Sequence, residues 1–245
     1  MAHELRDAIQ SGEFPPGAKL PSERVLAAQY NVARNTAREA IRLLADEGLV
    51  TAEHGRGVFV RSKRRLLRFG NERYSKRIRE QTGLSPYRAE VQKQSRVARV
   101  DCTSIERVQP PEDVAERLSV DPDSSSVVRR ENWYYADDEP MQVGVTFIPW
   151  EIAEGTVLAT SANMGPGSLY ARFEERGHRI AHTREEVTAR MPTPVELAGL
   201  GIPDGVPVIE VVHTGIDQDG RSFEVTKFVM RADYNGLDYT MPVED

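Results

Sequence analysis

Three arginines, Arg34, Arg38 and Arg42, stand four residues apart in the stretch RNTAREAIRLLAD. On a helix that spacing puts them on one stripe. A guanidinium carries parallel donors that match guanine O6 and N7, or a phosphate. A solvated helix face has the same pattern, with Arg42 in reach of Glu39 and Asp46. The flanks decide between the two. Ser22 is placed to cap a helix over 23–29, with Val25, Leu26 and Ala28 available for burial. Tyr30-Asn31-Val32 makes a tight turn in which Asn31 suits a positive φ. The arginine helix follows over 34–46, with Ala37, Ala40, Ile41 and Leu44 facing inward. After Gly48, residues 49–52 and 58–60 read as two short strands joined by Glu53-His54-Gly55-Arg56-Gly57. A helix, a turn, an arginine-faced second helix and a wing together form a device for entering a DNA groove. Arg34 and Arg38, near the helix N-terminal end, are the base-contact candidates. Arg42 lies further from that end and is as readily structural as a DNA contact. Arg56 at the wing tip suits a minor groove or a phosphate.

The remaining reactive side chains form no catalytic or metal-binding set. His3, His54, His178, His182 and His213 are scattered, and Cys102 is a single cysteine with no motif around it. No cofactor is expected. Gly165-Pro166-Gly167-Ser168 precedes a helix and suits either an anion or an ordinary cap. On the strand from Val128 to Tyr135, Arg130, Asn132 and Tyr134 share one face. With Tyr170 and Glu224 that face would line a pocket for a small polar effector. A half-exposed sheet face is the alternative.

These groups need elements to position them. Residues 2–11 read as a helix stopped by Gly12. The segment GEFPPGAKLP is a loop. The basic run RSKRRLLRFGNERYSKRIRE is either a solvated linker or a phosphate track using Lys63, Arg64 and Arg65. The pattern then turns mixed. It predicts a strand over 91–100, a helix over 111–118, a hairpin over 127–148 and a capped helix over 168–176. A strand over 179–190, a short helix capped by Thr193 and a hairpin over 206–231 follow. The fold class is α+β in two domains: 1–62 reading DNA, a basic linker over 63–86, and an antiparallel sheet domain over 87–245.

Charge follows the same division. Residues 1–80 carry 16 Lys and Arg against 10 Asp and Glu, and the remainder carries 16 against 28. A basic module that meets a polyanion precedes an acidic one that does not. No apolar run approaches the roughly 18 residues of a membrane span, and the N-terminal stretch lacks a signal peptide's apolar core. A cytoplasmic location is expected.

Several separate blocks resemble the GntR family of bacterial transcription regulators. They are Gly17-Ala18-Lys19-Leu20-Pro21-Ser22-Glu23-Arg24, Ala33-Arg34-Asn35-Thr36-Ala37-Arg38-Glu39-Ala40-Ile41, Glu47-Gly48-Leu49-Val50 and the wing from His54 to Val60. The later part is similar to the HutC subfamily and its UTRA effector domain, of chorismate-lyase-like fold. That likeness rests on Ala136-Asp137-Asp138-Glu139-Pro140-Met141, Phe147-Ile148-Pro149, Ser168-Leu169-Tyr170, and Glu224 with Arg231, Asp233 and Tyr234. The resemblance implies a homodimer on a palindromic operator, with an effector that alters DNA affinity. It assigns DNA contact to Arg24, Arg34, Asn35, Thr36, Arg38, His54, Gly55 and Arg56. The effector residues would be Arg130, Asn132, Tyr134, Ser168, Tyr170 and Glu224. Two departures stand out. Ala33 replaces a capping Ser or Thr. Asn132, Tyr134 and Gly144 stand where sugar-phosphate sensors carry two arginines and a glutamate, so a less anionic, more aromatic or apolar effector is expected. An effectorless repressor, or an enzyme on the chorismate-lyase-like domain, is the alternative.

Overall fold

The computed structural model describes residues 1–53, 55–61 and 65–241. Two compact units are present: Met1–Arg65 with Met191–Pro207, and Leu66–Arg190 with Val208–Asp245.

In the first unit, α1 (Ala2–Ser11) ends at Gly12, whose φ of 85° is left-handed. Helix α2 (Glu23–Gln29) is capped by the Ser22 hydroxyl, which accepts from the Val25 amide. Asn31 takes the positive φ (52°) that the turn needs. Helix α3 (Arg34–Asp46) buries Ala37, Ala40 and Leu44, as its spacing requires. Of the α2 positions expected inside, only Leu26 is buried, and Val25 is exposed. Strands β1 (Val50–Glu53) and β2 (Gly57–Val60) pair antiparallel as the wing. Leu5, Leu20, Leu26, Ala37, Leu44, Leu49, Val50 and Val60 form one core. Burying each large aliphatic there stabilises the unit by about 1.5–3 kcal/mol.

Ala33 stands at the N-cap of α3, with the extended backbone of a cap (φ −65°, ψ 148°) but no side-chain bond. Ala33→Ser should therefore supply the missing acceptor and stabilise the unit by roughly 0.5–2 kcal/mol. The check is a rise in urea midpoint with unchanged slope.

The second unit opens with β3 (Leu66–Phe69), a 3-10 turn over Asn71–Tyr74, α4 (Lys76–Thr82) and α5 (Pro86–Lys93). This corrects two expectations. Residues 66–86 are not a basic linker. Arg68, Arg73 and Arg79 are buried, and they pair with Glu185, Glu90 and Glu174 rather than solvent. Residues 91–100 are not one strand. Ser85 caps α5 and Pro86 fits its first turn, so the helix runs to Lys93. Strand β4 (Ala98–Val108) starts later.

The rest is α6 (Glu112–Leu118), β5 (Val127–Ala136), β6 (Glu139–Pro149), α7 (Trp150–Ala153), α8 (Val157–Thr160), α9 (Ser168–Glu175), β7 (Ile180–Arg190), α10 (Pro194–Leu200), β8 (Val208–Asp217), β9 (Ser222–Arg231) and β10 (Asn235–Asp238). Six strands form one antiparallel sheet in the order β4-β5-β6-β9-β8-β7. Strand β3 pairs separately, parallel to β10. Residues of α6 pack with Val127, Phe147 and Val225 in one core. Residues of α7, α8 and α9 pack with Val128, Ile148 and Phe223 in another.

Segment Met191–Pro207, which carries α10, belongs to the first unit. A reciprocal capping box between Thr193 and Glu196 starts the helix. Gly205 lies against the end of α3: a Cβ there would sit 2.9 Å from the Asp46 carbonyl oxygen.

Candidate nucleic-acid interface and ligand cavity

Arg34, Asn35, Thr36 and Arg38 are all exposed on α3, and Arg24 is exposed on α2. One carboxylate organises the stripe. Glu23 accepts from Arg38 Nε and Nη2 at 2.9 and 3.0 Å, and from Arg34 Nε at 3.1 Å. The hydrogen bond from Arg38, with help from Arg34, holds the Glu23 carboxyl below its usual range. Arg42 instead turns to Glu39 (2.6 Å) and Asp46 (3.3 Å), the two carboxylates within its reach on the helix. At the wing, Gly55 has a φ of 73°. The Arg56 guanidinium lies 5.4 Å over the Phe59 ring. Lys19 Nζ sits 5.8 Å from the same ring, held there because Lys19 bridges to Phe59. The Lys19 side chain fills the space a Cβ at Gly57 would need. Sequence reasoning missed Lys19, whose approach depends on that bridge. The candidates His54, Lys63 and Arg64 lie outside the described residues.

In the second unit, Arg130, Asn132, Tyr134, Ser168, Tyr170 and Glu224 line one cavity of about 750 Å³. Strand register builds its floor. Arg130 pairs with Thr146, Thr146 with Thr226, and Thr226 with His213, each on the next strand. The Thr146 and Thr226 hydroxyls are 2.9 Å apart. Arg130 donates to the carbonyl oxygens of Leu158 (2.6 Å) and Ser161 (2.8 Å), which fixes the loop before Gly165. Burial pulls its guanidinium below the ordinary range. Gly144 is a packing requirement: a Cβ there would lie 2.9 Å from the Phe228 ring and 3.1 Å from Tyr134.

Residues 93–235 match the UTRA domain family, and residues 1–60 match the gntR family of bacterial regulatory proteins. The chain belongs to the gntR family and carries a UTRA domain. It is 28% identical to the HTH-type transcriptional repressor NagR of Bacillus subtilis (strain 168), over 94% of this chain and 88% of that protein. It is 27% identical to the HTH-type transcriptional regulator GgaR of Escherichia coli (strain K12), over 95% and 86%. A solved GntR-family transcriptional regulator aligns with a TM-score of 0.64 at 27% identity, covering 99% of this chain and 96% of the other. PhnF from Mycobacterium smegmatis aligns with a TM-score of 0.62 at 23% identity over 99% of each, a likeness of fold alone. The protein is thus a DNA-binding transcriptional regulator with an N-terminal helix-turn-helix and a C-terminal α+β effector domain. Among the described residues, no helix is long and apolar enough to cross a membrane.

The regulator's cavity adjoins a buried polar network that sequence reasoning did not assemble. His213, 1% exposed, has Nδ1 3.1 Å from Glu185 and 3.1 Å from the Tyr74 hydroxyl. Its Nε2 lies 3.3 Å from the Tyr170 hydroxyl and 3.4 Å from Glu224. The Tyr74 ring stacks on the imidazole at 5.0 Å. Arg68 and Tyr239 close the far side on Glu185. Glu185 comes from β7 and Tyr74 from the 3-10 turn, so no local motif links them to His213.

Burial holds the Tyr74, Tyr87, Tyr134, Tyr170 and Tyr239 phenols above their ordinary range, Tyr134 and Tyr239 to about 12. The unfolded chain ionises these groups near pH 10, while the folded chain keeps their protons. Their contribution is complete below about pH 10 and is lost as pH rises through the folded values. Melting temperature should be level from about pH 8 to 9.5 and fall steeply by about pH 11.5, with tyrosinate absorbance rising in the same step.

Proposed function

We propose that the regulator is a cytoplasmic homodimeric repressor. It reads a palindromic operator through Arg24, Arg34, Asn35, Thr36, Arg38, His54, Gly55 and Arg56. A small effector bound beside Arg130, Asn132, Tyr134, Ser168, Tyr170 and Glu224 alters its affinity for that operator. The observation that carries the reading is the pairing of an exposed arginine stripe on α3 with a polar, aromatic cavity in the UTRA domain. The relatives' names, a repressor among them, support the direction of control. They also favour a regulator over a catalyst.

Selection from a random DNA pool with the full chain should return one palindrome. Recovery of no preferred sequence would sink the reading. Sedimentation should give a mass near twice 27.5 kDa, and a monomer at operator-binding concentrations would remove the dimer. A metabolite library should contain a compound that raises the melting temperature and shifts operator affinity. Silence in both assays would favour an effectorless repressor.

A further inference from the structure

Three buried polar atoms, on residues that line the cavity, make no hydrogen bond: Glu224 Oε1, Arg73 Nε and the Tyr87 hydroxyl. Two are donors and one is a carboxylate oxygen. Glu224 is 1% exposed. Its other oxygen accepts from the Thr226 hydroxyl at 3.2 Å. The basic group near Oε1 is His213, at 3.4 Å, and that ring also serves Glu185; the Tyr170 hydroxyl is the other polar neighbour of Glu224 and brings no charge. Arg130 is the opposite case. It is 2% exposed, and its donors go to two carbonyl oxygens and toward the Cys102 sulfur. Among the described residues no carboxylate forms an ion pair with it. Buried charge is costly unless an opposite charge meets it.

The register separates these two charges. Arg130, Thr146 and Thr226 lie across three adjacent strands, and Glu224 is two residues along the last, facing the same way. Strand geometry puts the two positions roughly 12 Å apart at the backbone. Tyr74, Tyr134, Tyr170 and Phe228 line the same cavity and offer aromatic faces, which favour a cation.

We propose that the cavity takes a zwitterionic small molecule, its anion toward Arg130 and Arg73 and its ammonium toward Glu224. The proposal rests on reading this cavity as the effector site. An anion alone leaves Glu224 with only the imidazole that it shares with Glu185, a cation alone leaves Arg130 without a counter-charge, and a neutral ligand leaves both. A hydroxylated anion would satisfy Oε1 by hydrogen bonding but would bring no positive charge to it.

The test is a thermal-melt panel on the full chain. It holds free α-amino acids and ω-amino acids of increasing length. Each is paired with its N-acetyl derivative, which lacks the ammonium, and its amide, which lacks the carboxylate. Glucose 6-phosphate stands for hydroxylated anions. At least one zwitterion should raise the melting temperature saturably, and either modification should weaken its binding at least about thirtyfold. Glu224→Gln should lose the same response. If that variant folds poorly, the derivatives decide the matter on the unaltered chain. Equal stabilisation by an N-acetyl derivative, an amide or glucose 6-phosphate overturns the zwitterion while leaving the effector site standing. No shift from any panel member also overturns it. Only silence across a broad metabolite library as well would remove the effector reading.

Discussion

Replacing Arg34 with alanine should weaken binding to the selected operator by roughly five- to 150-fold and leave binding to shuffled DNA much less affected. The side chain is two-thirds exposed, so the loss falls on recognition and not on folding. Its partner Glu23 keeps both hydrogen bonds from Arg38 when Arg34 is removed, so the stripe stays organised. Arg38→Ala should act in the same direction and also strip Glu23 of its main partner, leaving it only the Arg34 hydrogen bond. A less neutralised carboxylate beside a phosphate repels it, so Arg38→Ala should weaken shuffled DNA too. Arg42→Ala provides the contrast. Arg42 is committed to Glu39 and Asp46, and its loss should leave the ratio of operator to shuffled affinity unchanged. Competition binding at fixed salt measures all three. If Arg34→Ala keeps the parent ratio, α3 does not read bases through this residue.

The N-terminal part of the first unit was legible because its signals are local, whereas Met191–Pro207, read as part of the later domain, joins it from far along the chain. Cap, turn and inward spacing each lie within a few residues, and Ser22, Asn31 and Leu44 do what their positions require. The basic run after the wing was misread for the opposite reason. Arg68 pairs with Glu185, 117 positions away, and Arg79 with Glu174, 95 positions away. In sequence such arginines look solvated, because nothing nearby neutralises them. Burying them requires partners that only the folded sheet supplies.

The ligand cavity was legible in part for a related reason. Alternation along β5 places Arg130, Asn132 and Tyr134 on one face without knowledge of the fold. It does not say which residues of β6 and β9 stand beside them. That takes the register, which sets Thr146 next to Arg130 and Thr226 next to Thr146. The order β6-β9-β8 brings His213 into the same row from another hairpin. Arg73 and Tyr74 enter from a 3-10 turn inside the run read as a linker. Alternation along one strand found Arg130, Asn132 and Tyr134, whereas Thr146, Thr226 and His213 needed the register and Arg73 and Tyr74 needed the fold.

Glu185→Ala should lower the stability of the second unit by about 3–5 kcal/mol, because it leaves a buried guanidinium without its counter-charge. For a unit of this size that is a fall of roughly 6–20 °C in melting temperature. Arg68 is 3% exposed, and its Nε and Nη1 already lack partners, so the remaining protein offers it little else. Burial works against the Glu185 carboxylate, but His213, Arg68 and Tyr239 together hold it well below the usual range. A depressed carboxyl stabilises the fold above its unfolded value near pH 4.3, and that contribution is lost as pH falls through the folded value. The gap between parent and variant should therefore be full at neutral pH and narrow only under strongly acidic conditions. The double variant Arg68→Met with Glu185→Met separates charge from packing. It removes both ions and keeps apolar volume over Phe228, so it should recover much of the single variant's loss. If Glu185→Ala melts within a degree or two of the parent, water reaches Arg68 and the pair does not hold β3 to the sheet.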